Sequence, residues 1–298
     1  MLGLRLALGT IALMAVLTAS MGGLAIVDFD GSNEQPTLEL TLGGKGAYWE
    51  AMANGARAAA EKRQAALVIG EGVIEDCQAT LAILGTSESA SCGGDQVTSE
   101  HLFHVGIANY AAGRVCAHYA AKHSQPGNTI VALVDDLDHP ACRARLQGFR
   151  DTLRYFEADD GQPKRGVEVV GTTGNWAALA KQHAEATVVI DFTGGSAATL
   201  QQSFAHIPAD ARPLLISFDH SEAALGAIET GELAAVVTHD PYVCGFQAVD
   251  RLVMNHYSDL MGRPAAGRGC IHVPAQLVER GTLEEFRSAM KIAASGGL

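Results

Sequence analysis

Four groups of residues have the types and spacing to carry chemistry. Gly43-Gly44-Lys45-Gly46 stands where a strand gives way to a helix, the place where a glycine-rich turn cradles phosphate on a helix N-terminus. A dinucleotide fingerprint needs glycine where Trp49 stands, and a P-loop needs Ser or Thr where Gly46 follows Lys45, so neither match holds. Gly194-Gly195-Ser196-Ala197-Ala198 lacks the last glycine of a nucleophile elbow, which argues against a serine hydrolase. His101 and His104 are three apart on an expected strand and so point to opposite faces, poor geometry for one metal ion. Asp135, Asp136 and Asp138 crowd a strand end without the glycine and later glutamate of a calcium loop. No metal site, cofactor site or nucleophile with its base is expected, and the chain reads as a non-enzyme.

The cysteines give the same answer. Cys77, Cys92, Cys116, Cys142, Cys244 and Cys270 contain no Cys-x-x-Cys pair, so no zinc-finger ligand set is present. Disulfides among them stay open, as does the reading of Cys116 as a buried free thiol on an apolar helix face.

These residues must be positioned by something large. The 298 residues have room for two lobes or one large α/β domain. Lysine and arginine total 21 against 33 acids, a formal charge of −12 that repels nucleic acid and anionic lipid. With 33 glycines and only 6% aromatics, the composition suits close helix-on-sheet packing. Leu6–Val27 carries no charge and follows Arg5, the pattern of an export signal with small residues at Thr18 and Ser20 for cleavage. The same stretch could span a bilayer as an uncleaved anchor, the only membrane contact expected. Residues 1–27 are therefore read as signal peptide or anchor and 28–36, closed by Pro36, as a linker.

From Thr37 onward strands and helices alternate. Strands are expected at 37–42, 66–69, 102–106, 129–134, 167–170, 187–191, 214–218, 234–238 and near Ile271. Helices are expected at 48–63, 74–84, 109–123, 140–156, 176–186, 197–205, 222–230 and 244–260. Such alternation predicts an α/β fold of parallel sheets with helices on both faces, enough for two doubly wound sheets.

Three segments, together with Val105–Gly113, resemble the type I periplasmic binding proteins for sugars, the ribose- and galactose-binding group. They are Lys45–Ala60 with aromatics at Tyr48 and Trp49, Asp138–Phe149 with Arg145-x-x-Gly-Phe, and Leu214–Asp219 followed by Ile228–Tyr242. The resemblance implies two lobes joined by a hinge, with 37–107 plus 241–267 in the first and 108–240 plus 268–298 in the second. It implies capture of a sugar or similar polyol, delivered to an ABC permease outside the cytoplasm or, alternatively, read by a membrane-anchored sensor. A pyranose has apolar C–H faces and a hydroxyl rim, so it needs aromatic planes and charge-assisted donors and acceptors. The resemblance assigns stacking to Tyr48 and Trp49 from one side and Trp176 from the other, and hydroxyl binding to Arg145 and Asp219, with Asn109, Asp95 and His239 as further candidates. His239 stands where the family usually has glutamine. Gly85–Glu100 is too short and polar for the strand, helix and strand of roughly 30 residues that the family carries there. The first lobe is thus expected to be shortened, its remaining strands closing ranks, covered by a partner, or missing a piece of a longer gene.

Overall fold

The computed structural model describes residues 22–28, 37–41, 46–70, 80–85, 101–134, 140–157, 164–172, 175–194, 196–257 and 270–294. They form two six-stranded sheets with helices on their faces. The first sheet has the order β11-β5-β4-β1-β2-β3, built from β1 (Gly22–Asp28), β2 (Thr37–Thr41), β3 (Ala66–Gly70), β4 (Thr80–Gly85), β5 (His101–Ile107) and β11 (Cys270–Val273). The second has the order β12-β10-β9-β8-β6-β7, built from β6 (Thr129–Val134), β7 (Gly166–Gly171), β8 (Val188–Asp191), β9 (Leu214–Phe218), β10 (Ala235–His239) and β12 (Ala275–Glu279). Pairing is parallel except where β1 meets β2 and β4 and where β12 meets β10. β8 is buried along its whole length and β6 over all but its first residue, which is why they read as unbroken apolar runs.

The helices are α1 (Ala47–Arg63), α2 (Asn109–Lys122), α3 (Pro140–Leu153), α4 (Trp176–Gln182), α5 (Ala197–Phe204), α6 (Glu222–Thr230), α7 (Pro241–Tyr257) and α8 (Leu283–Ala294). Two helix pairs cross at glycines. A Cβ on Gly55 would lie 2.0 Å from the Tyr242 carbonyl oxygen and one on Gly245 1.9 Å from that of Met52, so α1 and α7 touch backbone to backbone. Gly113 and Gly148 do the same for α2 and α3, at 1.9 Å from the Arg145 oxygen and 2.0 Å from the Tyr110 oxygen. One core lies under α2 and α3 around Phe149, Phe192 and Phe218, and the other joins α1, α7 and α8 to the second sheet.

Three expectations change. Thr80–Gly85, expected as the end of a helix, is a strand, since a short apolar run with threonine and isoleucine satisfies either period. Gly22–Asp28, assigned to the apolar leader and linker, is β1, antiparallel between β2 and β4. It occupies the middle of the first sheet. β11 pairs with β5 in the first sheet, so the chain's last passage between sheets falls at Pro274 and not between 267 and 268. β12 and α8 had no counterpart in the sequence reading. Residues 1–21, Asp95, Asp135, Asp136 and Asp138 lie outside the described residues. Among the described residues no helix is long and apolar enough to cross a membrane.

Candidate functional site

Parallel strands deliver side chains and loop backbone to the carboxyl end of a sheet, where ligands of α/β proteins gather. In the second sheet that end carries Asp191 on β8, Asp219 and His220 after β9, and His239 at the end of β10. All four are buried. The first turn of α1 meets them: the Tyr48 hydroxyl lies 3.1 Å from His239 Nε2, and its ring stacks on His220 with centroids 3.9 Å apart and planes 23° from parallel. Trp49 is edge-on to both Tyr48 and His220. Gly46, at φ 105°, precedes α1 with a backbone turn that an L side chain would strain, and this sets the direction in which the two aromatics enter.

Arg145 comes from α3 and is buried beside Asn109, the first residue of α2. Its Nε donates to Asn109 Oδ1 at 2.7 Å, and Nη1 donates to the carbonyls of Phe192 at 2.9 Å and Thr193 at 3.2 Å. The guanidinium also lies 4.7 Å over the Phe218 ring, so its charge is held by carbonyl dipoles and a π face. Burial lowers its pKa from the usual arginine value.

The two carboxylates are held from within the second sheet. Asp219 Oδ1 accepts from the backbone N–H groups of His220 at 2.7 Å and Ser221 at 2.8 Å, and Oδ2 from Ala197 at 3.3 Å. Asp191 accepts from Thr193 N–H and from the hydroxyls of Ser196 and Ser217. Burial raises the Asp191 pKa against the opposite pull of these bonds.

The structure thus brings together Tyr48, Trp49 and His239, with Asp219 next to His220, and joins Arg145 to Asn109. Trp176 begins α4 partly buried against the larger core, and among the described residues no ring contact joins it to the Tyr48 group. His220, Asp191, Thr193, Ser196 and Ser217 were missed. His220 could have been found as the residue following a strand-end aspartate, and Asp191 as the one charge closing an apolar run. Cys116 and Cys244 are buried free thiols whose pKa values burial pushes up, so neither is primed as a nucleophile. Among the described residues no three His, Cys, Asp or Glu side chains are placed to hold a metal ion.

Residues 90–255 match the family model described as "Periplasmic binding protein domain". No curated protein matches the sequence. Among solved structures, a periplasmic ribose ABC transporter protein from Conexibacter woesei superposes with a TM-score of 0.63 at 15% identity, covering 83% of this chain and 93% of that one. A Brachyspira murdochii protein titled "ABC transporter, LacI family transcriptional regulator" gives 0.60 at 15%, covering 84% and 95%. An arabinose binding protein from Geobacillus stearothermophilus gives 0.58 at 16%, covering 83% and 97%.

Proposed function

We propose, from the premise that the chain belongs to the periplasmic binding protein domain family, that it is an exported receptor that captures a sugar or similar polyol between two lobes. Its fold, two parallel-dominated sheets with helices on their faces, is that of the type I periplasmic binding proteins. One lobe is built on each sheet, and the closed form is presented to an ABC permease with no covalent chemistry. An export segment cleaved near Ser20 is compatible with β1 beginning at Gly22.

The observation that carries this reading is the convergence at one sheet end of aromatic planes from α1 with polar groups from the second sheet and its helices. Tyr48 and Trp49 offer faces for C–H stacking, while Arg145, Asn109, Asp219 and His239 supply charge-assisted partners for hydroxyls. A sugar ring placed between Tyr48 and His220 must part them from 3.9 Å to about 7–8 Å, twice an ordinary van der Waals contact. Binding is therefore coupled to lobe motion.

The test is a thermal-unfolding scan of the purified protein against pentoses, hexoses and polyols. A ligand at a hundred times its Kd stabilises the folded state by about 2.7 kcal/mol, a shift of several degrees. An upward shift with one sugar class, lost in Arg145→Met, supports the reading. A cooperative melt that no sugar or polyol moves overturns it.

A further inference from the structure

We infer that Tyr48, stacked on His220 and joined to His239, is a latch that holds the two lobes together at neutral pH and releases them in mildly acidic solution. Tyr48 belongs to α1 on the first lobe, whereas His220 follows β9 and His239 ends β10 on the second. His220 is 7% and His239 1% exposed, so each imidazole is enclosed by the contact that crosses between lobes. The ring planes of Tyr48 and His220 lie 23° apart at 3.9 Å, and Trp49 closes the edge at 6.1 Å and 84°. This is a packed aromatic contact.

Charging His220 disturbs that contact because its surroundings offer little to replace water. On its own loop Asp219 favours the proton, yet that carboxylate already accepts three backbone N–H bonds. From the β10–α7 junction, His239 faces the Tyr48 hydroxyl, with Asp240 and Cys244 acting on the same phenol. From α6 and α8, Glu222, Glu284 and Arg287 line a cavity with Ala47, the residue before Tyr48. A protonated imidazole also gains a cation–π contact with Tyr48, but burial outweighs these pulls and holds the His220 pKa below its ordinary value.

The sign follows from that direction. The closed form prefers neutral His220 and the open form exposes it, so opening takes up a proton. Closure is complete above about pH 6.5 and weakens as the pH falls from there toward the lowered value, by at most tenfold per pH unit for one proton. The latch rests on the two-lobe reading but on no ligand, and its test contains none, so a failed latch leaves the receptor reading standing.

The experiment measures the radius of gyration by small-angle scattering at pH 7.5 and 5.5, with far-UV circular dichroism on the same samples. The wild type is expected to expand reversibly at pH 5.5 with its circular dichroism intact, and His220→Phe, which keeps a flat ring without a proton, to stay compact at both. An unchanged wild type, expansion with loss of the far-UV signal, or expansion that survives in His220→Phe overturns the latch. Should His220→Phe not fold, the imidazole of His220 is titrated by NMR in the wild type. A midpoint below 6.5 that coincides with the expansion supports the latch, and a midpoint at or above 6.5, or one without expansion, overturns it.

Discussion

Replacing Gly113 by alanine tests whether the α2–α3 crossing positions Arg145. The added Cβ lies 1.9 Å from the Arg145 carbonyl oxygen, 2.8 Å from its carbon and 2.9 Å from the Phe149 nitrogen. Ordinary contact is about 3.5 Å, and both partners are backbone, so no rotamer change relieves the overlap. The helices must part by about 1.5 Å. Transmitted to the site, that movement stretches the 2.7 Å bond from Arg145 Nε to Asn109 Oδ1 beyond hydrogen-bonding reach. Overpacking costs about 1–3 kcal/mol and loss of a charged hydrogen bond about 1.5–3 kcal/mol, against about 1 kcal/mol returned by alanine's helix propensity. The net is a loss of about 1.5–5 kcal/mol, or roughly 3–20 °C in Tm for a chain of this size. Gly226→Ala in α6 is the control, since its Cβ meets nothing within 4 Å and should gain a few tenths of a kcal/mol to about 1 kcal/mol. Differential scanning calorimetry of both variants decides. If Gly113→Ala melts within about 2 °C of wild type, the close crossing does not position Arg145 and the reasoning fails.

Further outcomes follow from the same contacts. Tyr48→Phe keeps the ring on His220 but deletes the hydroxyl facing His239, and urea denaturation should register a loss of about 1–2 kcal/mol. An unchanged midpoint would mean that the 3.1 Å contact carries no stability. Arg145→Met removes the buried donor to Asn109 Oδ1 and to the Phe192 and Thr193 carbonyls and should lower stability by about 2–4 kcal/mol, read by the same denaturation series. The Asp191 pKa is raised in the folded protein, so its contribution is most favourable at acid pH and declines as the pH rises from about 4 toward the folded value. Wild type should therefore lose ground to Asp191→Asn between pH 4 and 7, and a difference that is flat or grows the other way refutes the assignment.

In the second sheet the central strands, such as Thr129–Val134 and Leu214–Phe218, were readable almost residue by residue because they are buried apolar runs bounded by polar turns, whereas the edge strand β12 was not. The first was harder. Thr80–Gly85 satisfies helix and strand periods alike, and Gly22–Asp28 has the composition of a leader, so only pairing with β2 and β4 reveals it as a strand. In the candidate site, Tyr48, Arg145 and Asp219 were named through the family resemblance. His220 was not, although it directly follows a strand-end aspartate, because a lone histidine on a loop carries no sign that its ring will stack on Tyr48. The internal bonding of Asp219 and Asp191 was equally hidden, because backbone N–H groups leave no trace in residue identity.

The central claim, capture of a sugar or polyol between the lobes, is tested most directly by isothermal titration of the purified protein with the sugar class that shifts its melt. Saturable binding of one molecule per chain is predicted, abolished in Tyr48→Ala and in Arg145→Met variants that still unfold cooperatively. Absence of heat with every sugar and polyol, or binding that survives both substitutions at wild-type affinity, would contradict the account.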